Sequence, residues 1–196
     1  MPDDTSSEAY AKRLQEREGA WWKRLLRVQA IYRWNLRRLE PGFTLDVGCG
    51  IGRNLDHLDG NGVGVDHNPT AVAEARRRGF TAFTPDEFAD SPYAEEGRFD
   101  SILLAHVVEH MTHQEAVELV GRYLPFVVPG GTAIFICPQE SGFRSDSTHV
   151  EFADFDSLHR LCTDVGIDGA RAYSFPFPRF AGRWFRYNEF VVVGRR

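Results

Sequence analysis

An α/β fold with a doubly wound, mostly parallel seven-stranded sheet is predicted by three observations. Five short β-rich runs, at residues 43–47, 62–65, 80–83, 99–105 and 132–137, are mostly separated by helix-like stretches. Such alternation needs crossover connections, which give parallel strands with helices on both faces. Two last runs, 170–175 and 189–193, have no helix between them and read as an antiparallel pair at one edge. Finally, a turn with glycines at alternate positions, Gly48, Gly50 and Gly52, joins the first run to a helix-like segment. Glycine has no Cβ, so the backbone can take φ > 0 there and a ligand can lie against it.

Each element has a local reason. Thr5-Ser6-Ser7-Glu8 reads as a capping box opening a helix. From Trp21, apolar residues at Leu25, Val28, Tyr32, Leu36 and Leu39 fall on one helical face. Gly19 separates two helical pieces, and Glu40-Pro41-Gly42 ends the second. Residues 1–42 are therefore expected to form a helical arm, and residues 43–196 the main domain. Asn68-Pro69 supplies an N-cap and an N1 proline, and Gly79 a C′ stop. Thr112-His113-Gln114-Glu115 is a second capping box, leading to a helix that ends near Pro125. Asp154 can cap a helix running through Leu158 and Leu161 to Gly166.

Composition narrows the class. The 196 residues are 42% hydrophobic and 26% charged, ordinary for one globular domain. No apolar run approaches the roughly 18 residues of a membrane span, and the polar N-terminus does not resemble a signal peptide. Cys49, Cys137 and Cys162 form no paired framework, which suits a reducing, cytoplasmic setting. A net charge of −5 offers no general footprint for nucleic acid. Charge is uneven, however: after Ala170 there are six arginines and a single acid, Glu189.

The stretch Leu45-Asp46-Val47-Gly48-Cys49-Gly50-Ile51-Gly52-Arg53 carries the chemistry, together with Asp66 at the end of the second run. A second parallel strand would present that acid beside the glycine turn. Close backbone approach at one end and a carboxylate for ribose hydroxyls at the other suit a nucleoside crevice. A dinucleotide fingerprint spaces its glycines G-x-G-x-x-G; here the third comes one residue early. A nicotinamide-dependent oxidoreductase is thus the less favoured reading.

Asp46-Val47-Gly48-Cys49-Gly50-Ile51-Gly52 resembles motif I of the class I S-adenosylmethionine-dependent methyltransferases. The resemblance continues through Gly64-Val65-Asp66-His67-Asn68-Pro69, the run 99–105, and Pro129-Gly130-Gly131 with the run behind it, covering 43–196. It implies the Rossmann-like methyltransferase fold and S-adenosylmethionine as cofactor. Gly48, Cys49, Gly50 and Gly52 would line the methionine part, with Asp46 near its amino end. Asp66 would accept both ribose hydroxyls, and His67 would flank adenine. Similar enzymes set an acid and a backbone N–H against adenine where Asp86 and Glu87 stand here. Ala105, ending the fourth strand, would also line the cofactor. In similar enzymes an N-terminal helix commonly lids the site.

The methyl group is expected to point at the loop after the fourth strand, Ala105-His106-Val107-Val108-Glu109-His110-Met111. On a helical turn His106, Glu109 and His110 would share one face. A later loop, Ser147-Thr148-His149, is expected to face the same crevice. Three readings stand open. His110 or His149 is a general base, since histidine titrates nearest neutrality. Alternatively His106, Glu109, His110 and His149 bind a divalent metal that holds two substrate oxygens. Small-RNA and quinone-precursor methyltransferases resemble this layout through a Glu-x-x-Glu-His element, in which His106 here replaces the first glutamate. Or the loop merely packs and caps. Arginines interleaved with aromatics at 176–187 either grip an anionic or lipid-linked acceptor or pack as a hairpin. Arg76-Arg77-Arg78 reads as a solvated face, and Trp21 and Trp22 as core residues. The expected activity is methyl transfer to a small-molecule or carrier-linked acceptor at oxygen, the alternative being a non-catalytic cofactor-binding module.

Overall fold

The structure, a computed structural model, describes residues 22–196, with side chains from Gln29 onward. The Thr5–Glu8 capping box, Gly19 and Trp21, and the side chains of Trp22, Leu25 and Val28, lie outside the described residues. The chain divides into two compact units, one reaching Ala94 and one starting at Glu95.

The first unit contains α1 (Trp22–Arg37), β1 (Thr44–Val47), α2 (Arg53–His57), β2 (Gly62–Val65), α3 (Pro69–Arg77), β3 (Ala82–Phe83) and α4 (Pro85–Ala89). β1 pairs parallel with β2, from Thr44 opposite Gly62 to Val47 opposite Val65, and β2 pairs parallel with β3. Every residue of β1 and β2 is buried, as expected for parallel strands covered on both faces. α3 begins as predicted: Asn68 Oδ1 accepts from Thr70 N and Ala71 N, with Pro69 in the first turn. Its Val72 and Ala75 pack with Cys49 and Ala82. Gly79, at φ +91°, stops it. α1 ends before Glu40 and Gly42, both at positive φ. It docks on α2 through Arg33 Nη2 to Asp56 Oδ2 (2.5 Å) and Arg37 Nε to the His57 carbonyl (2.7 Å).

Two boundaries here differ from expectation. β3 covers only the last two residues of the expected run 80–83, and Thr84 opens α4 directly behind it. The reason is a capping box, Thr84 with Glu87, followed by Pro85 in the first turn.

The second unit contains β4 (Phe99–Ala105), a 3₁₀ turn (Val108–His110), α5 (His113–Tyr123), a second 3₁₀ turn (Leu124–Phe126), β5 (Val127–Pro138), α6 (Glu140–Phe143), α7 (Phe155–Asp164), β6 (Asp168–Phe175), a third 3₁₀ turn (Arg179–Arg183) and β7 (Glu189–Arg195). β4 and β5 are parallel, whereas β7 runs antiparallel to β5 and to β6. The terminal antiparallel pair is the one predicted. α5 starts at the Thr112 capping box and α7 at Asp154, whose Oδ1 accepts from Ser157 N. Phe99, Ile102, Leu103, Leu104, Ile134, Phe135, Leu158, Leu161 and Phe190 are fully or almost fully buried and make the core. β5 begins at Val127 rather than 132, because its register against β4 shifts between Phe99 and Ser101. That shift absorbs Pro129-Gly130-Gly131, which alone reads as a turn. No helix among the described residues is long and apolar enough to cross a membrane. The three cysteines are free and buried.

Two glycines test the packing in opposite directions. A Cβ on Gly62 would lie 2.5 Å from the Thr44 carbonyl oxygen, whereas one on Gly121 of α5 would meet nothing within 4 Å. Gly62→Ala is expected to lower the unfolding free energy by about 1–3 kcal/mol. Gly121→Ala is expected to raise it by about 0.5–1 kcal/mol, through lost freedom of the unfolded chain. Denaturant midpoints at constant slope check both; equal midpoints would contradict the packing described.

Candidate functional site

The glycine turn of the first unit is held from one side by the end of β2. Gly48, Gly50 and Gly52 have φ of +77°, +52° and +83°, so all three occupy left-handed backbone. The Val65 carbonyl accepts from Gly48 N (2.7 Å) and Cys49 N (3.1 Å). Asp66 continues the grip: Oδ2 accepts from Gly50 N (2.7 Å) and Oδ1 from Asn68 N (2.8 Å). Two such bonds leave lone-pair capacity on the carboxylate for further donors. Arg78 Nη1 donates to the Ile51 carbonyl (2.9 Å), so this arginine braces the turn instead of merely facing solvent.

Asp46 is fully buried and neither carboxylate oxygen accepts a well-formed hydrogen bond from the protein. Burial pushes its pKa up to about 7; Asn54 and Arg53 oppose this and Asp66 adds to it. An unpartnered buried acid is costly unless something satisfies it, and a ligand carrying an ammonium group fits that need. The Cys49 thiol is also buried and its pKa is raised, which makes it packing and not a nucleophile. His67 is more than half exposed, its Nδ1 3.7 Å from Asp66 Oδ1. Asp86 is exposed in the first turn of α4. Glu87 is engaged elsewhere: its carboxylate accepts from Arg76 Nη2 (2.7 Å) and Thr84 N (2.8 Å). Its own N–H points to Thr84 Oγ1 (3.4 Å). The Arg76 bonds, followed by the cap, pull the Glu87 pKa down to about 2.

In the second unit, β4 ends at the buried Ala105 and the chain turns through His106, a non-glycine residue at φ +61°. His106 Nε2 lies 2.8 Å from Glu189 Oε1, and Nδ1 lies 3.3 Å from Glu109 Oε1. Burial alone would lower its pKa, but the two carboxylates outweigh it and raise the value to about 9. His106 is therefore an imidazolium at neutral pH. Glu109 is completely buried and neither oxygen accepts a well-formed hydrogen bond from the described residues. Burial acts to raise its pKa, yet His106 prevails and holds it below the usual value.

His110 and His149 come together, their ring centroids 4.8 Å apart. His110 Nδ1 lies 3.2 Å from the Thr148 carbonyl and His149 Nδ1 lies 2.7 Å from the Phe143 carbonyl. A carbonyl only accepts, so Nδ1 carries a hydrogen in both rings. Burial lowers the His110 pKa, favouring the neutral ring. Phe143 stacks on His149 at 5.0 Å and fixes its plane. Each of Glu109, His110 and His149 offers one ligand atom within 4.8 Å of the others. Of the four candidate ligands read in the sequence, His106 thus stands apart, bridging Glu109 to Glu189. Glu189 was not among the expected site residues; its isolation in a basic C-terminal stretch was the available signal.

The arginine and aromatic segment splits. Arg179 binds Glu140 through Nη1 and Nη2 (2.8 and 2.6 Å) and lies 4.7 Å over the Phe190 ring, so it holds the 3₁₀ turn in place. Phe180 and Trp184, by contrast, are largely exposed.

A methyltransferase-domain family model matches residues 45–135. No curated protein matches the chain. Solved structures share its fold. A SAM-dependent methyltransferase of Thermotoga maritima superposes with a TM-score of 0.72 at 15% identity, over 95% of this chain and 97% of the other. Magnesium protoporphyrin IX methyltransferase of Synechocystis, with bound S-adenosylmethionine, gives 0.66 at 15% identity, over 98% and 93%. A structure described as the complex between the Haloferax volcanii Trm112 methyltransferase activator and the putative methyltransferase gives 0.64 at 16% identity, over 97% and 95%. The domain match runs from the first core strand into the fifth, across the glycine turn and Asp66, so that residues 45–135 match a methyltransferase domain and the chain shares its fold with S-adenosylmethionine-dependent methyltransferases.

Proposed function

We propose that this enzyme transfers the methyl group to an oxygen of a small-molecule or carrier-linked acceptor, and that His110 and His149 serve the acceptor. The observation carrying this reading is the pair of touching imidazoles, each with Nδ1 committed to a carbonyl. The free-base fraction of an amine attacks with its own lone pair, without a base acting in the same step. A hydroxyl does not, and needs a positioned base as the methyl is transferred. His110, its pKa lowered by burial, stands beside His149 and the buried Glu109 to supply one. Methyl transfer from a sulfonium otherwise needs little beyond alignment.

For the cofactor, the proposal assigns the methionine end to Asp46 and to the backbone of Gly48, Cys49, Gly50 and Gly52. Asp46 supports this as a buried carboxylate with no well-formed hydrogen bond from the described residues, suited to the cofactor's ammonium group. Asp66, already fixed by Gly50 and Asn68, takes the ribose hydroxyls with its remaining lone pairs. His67 and Asp86 flank adenine. Ala105 closes the list, whereas Glu87 contributes chiefly by ordering the turn that carries Asp86.

Three outcomes are expected. Calorimetry with S-adenosylhomocysteine finds Asp66→Ala weakened by about 1–3 kcal/mol, the cost of losing hydrogen bonds to a charged acceptor; unchanged affinity removes Asp66 from the ribose role. The Asp46 effect depends on pH with a definite sign. The free protein holds a proton on Asp46 up to about pH 7, and an ammonium ligand requires the ionised form. Affinity should therefore rise on the order of tenfold from pH 5.5 to 7.5, and Asp46→Asn should flatten that rise. Lastly, with an oxygen acceptor found by screening with labelled cofactor, His110→Ala lowers kcat by about 10²–10⁴ while S-adenosylhomocysteine binds as before. An undiminished kcat would instead favour the non-catalytic reading of this loop.

A further inference from the structure

We propose that the loop 177–187 is a docking surface for a lipid bilayer that carries anionic headgroups. Four of the large apolar side chains exposed among the described residues fall inside it: Phe177 at 49%, Phe180 at 64%, Trp184 at 75% and Tyr187 at 52%. Their exposure is not slackness, because buried polar groups fasten the loop from beneath. Asn188 Nδ2 donates to Gln139 Oε1 and to Ser174 Oγ, both at 2.9 Å, and its Oδ1 accepts from Phe177 N at 2.9 Å. Gly182 leaves no room for a Cβ against the Gln139 side chain, and Arg179 is clamped to Glu140. Phe185 meets Phe177 and Tyr187 edge-on, with centroids 5.1 and 5.8 Å away. Rings held in place yet left in solvent mark a surface made to be covered.

Charge selects what covers it. Residues 177–188 hold three arginines and no acid; Arg179 is committed to Glu140, whereas Arg183 and Arg186 are exposed. A second copy docked about a two-fold axis would set these arginines against their own equivalents. Nucleic acid is bound through many phosphate contacts, and two guanidinium groups on a chain of net charge −5 are a poor footprint for it. An anionic bilayer suits the loop better. Trp and Tyr settle at the headgroup boundary, where one end of the ring is apolar and the other wet, and the arginines there meet lipid phosphates. Apolar burial supplies the drive and the two cations the preference for negative lipid. α6 touches both this loop and the acceptor site: Ser141 Oγ donates to the Trp184 carbonyl (3.4 Å) and Arg144 Nη2 to that of Arg183 (3.2 Å), while Phe143 stacks on His149. One corollary rests on the acceptor reading above: the bilayer presents a lipid-linked acceptor to the end of α6 where His149 stands.

The test uses the whole chain and vesicles of phosphatidylcholine, alone or mixed with an equal part of phosphatidylglycerol, with bound protein measured by flotation. Binding to the mixed vesicles is expected. Phe180→Ser combined with Trp184→Ser should weaken it roughly tenfold or more. Arg183→Ser and Arg186→Ser should each cost about fivefold on the mixed vesicles and leave binding to phosphatidylcholine unchanged. Trp34→Ser, which removes an exposed ring of the first unit, should change nothing. Thermal melts identify a variant that has lost its fold; brominated lipid then decides, since it should quench emission in the wild type that is missing in Trp184→Phe. No binding by the wild type, or full binding by the folded Phe180→Ser, Trp184→Ser protein, overturns the proposal. A wild type that ignores vesicles but dimerises, or binds a single-stranded oligonucleotide, through Trp184 overturns it as well. Vesicle binding is scored without cofactor or acceptor, so a failed search for an oxygen acceptor defeats only the corollary.

Discussion

The carboxylate of Asp66 is the constraint on which the first unit turns. Three left-handed glycines in five residues make a backbone with many alternatives, and such a turn cannot order itself. It is ordered by the end of β2: the Val65 carbonyl takes two amides of the turn, and Asp66 takes the Gly50 amide at 2.7 Å. The same carboxylate reaches forward to Asn68 N at 2.8 Å, and Asn68 in turn caps α3. One side chain therefore couples strand, turn and helix start. Charge-assisted bonds of this kind are short and strong, and they hold the crevice before any ligand arrives. Binding then need not supply the entropy of ordering it.

A different electrostatic order governs the second unit, where one residue type is used in two protonation states. His106 sits between Glu109 and Glu189 and is charged; His110, half-buried and bonded through Nδ1 to a carbonyl, is neutral. Opposite charge at close range favours the ionised ring, and desolvation favours the neutral one. Glu109 thus has the cationic ring of His106 at 3.3 Å and the His110 and His149 rings close by.

Local signals in the sequence carried the elements well. Asn68-Pro69, the Thr112 capping box, Asp154 and Gly79 each act within a few residues, and each marks a helix end in the structure. α4 carries the same kind of signal in Thr84-Pro85-Asp86-Glu87, but a five-residue helix leaves no periodicity to read. β5 was read late because Pro129-Gly130-Gly131 looks like a turn, and only pairing with β4 shows it to be a bulge. Side-chain partnerships were the least legible part. His106 meets Glu189 across 83 residues, and Arg179 meets Glu140 across 39; neither pairing follows from spacing, since tertiary folding alone brings the partners together.

Asp46 and Glu109 show why the site residues, unlike the elements, stand out by breaking a rule. Both are acids buried without a well-formed hydrogen bond from the described residues on either oxygen. Buried polar groups are nearly always satisfied, and an exception calls for an account of its own. Their pKa values move in opposite directions, and the difference is the neighbouring cation. Glu109 has an imidazolium 3.3 Å away and is held ionised. Asp46 has only the weaker pull of Asn54 and Arg53, and burial carries it to about 7. A cationic ligand beside Asp46 would place it in the state Glu109 already occupies, exchanging a bound proton for the ligand's charge. The penalty in the free protein then becomes selectivity in the complex: a neutral isostere leaves Asp46 protonated and gains nothing from it. Discrimination of that kind is available only from a carboxylate kept out of water and left without a partner of its own.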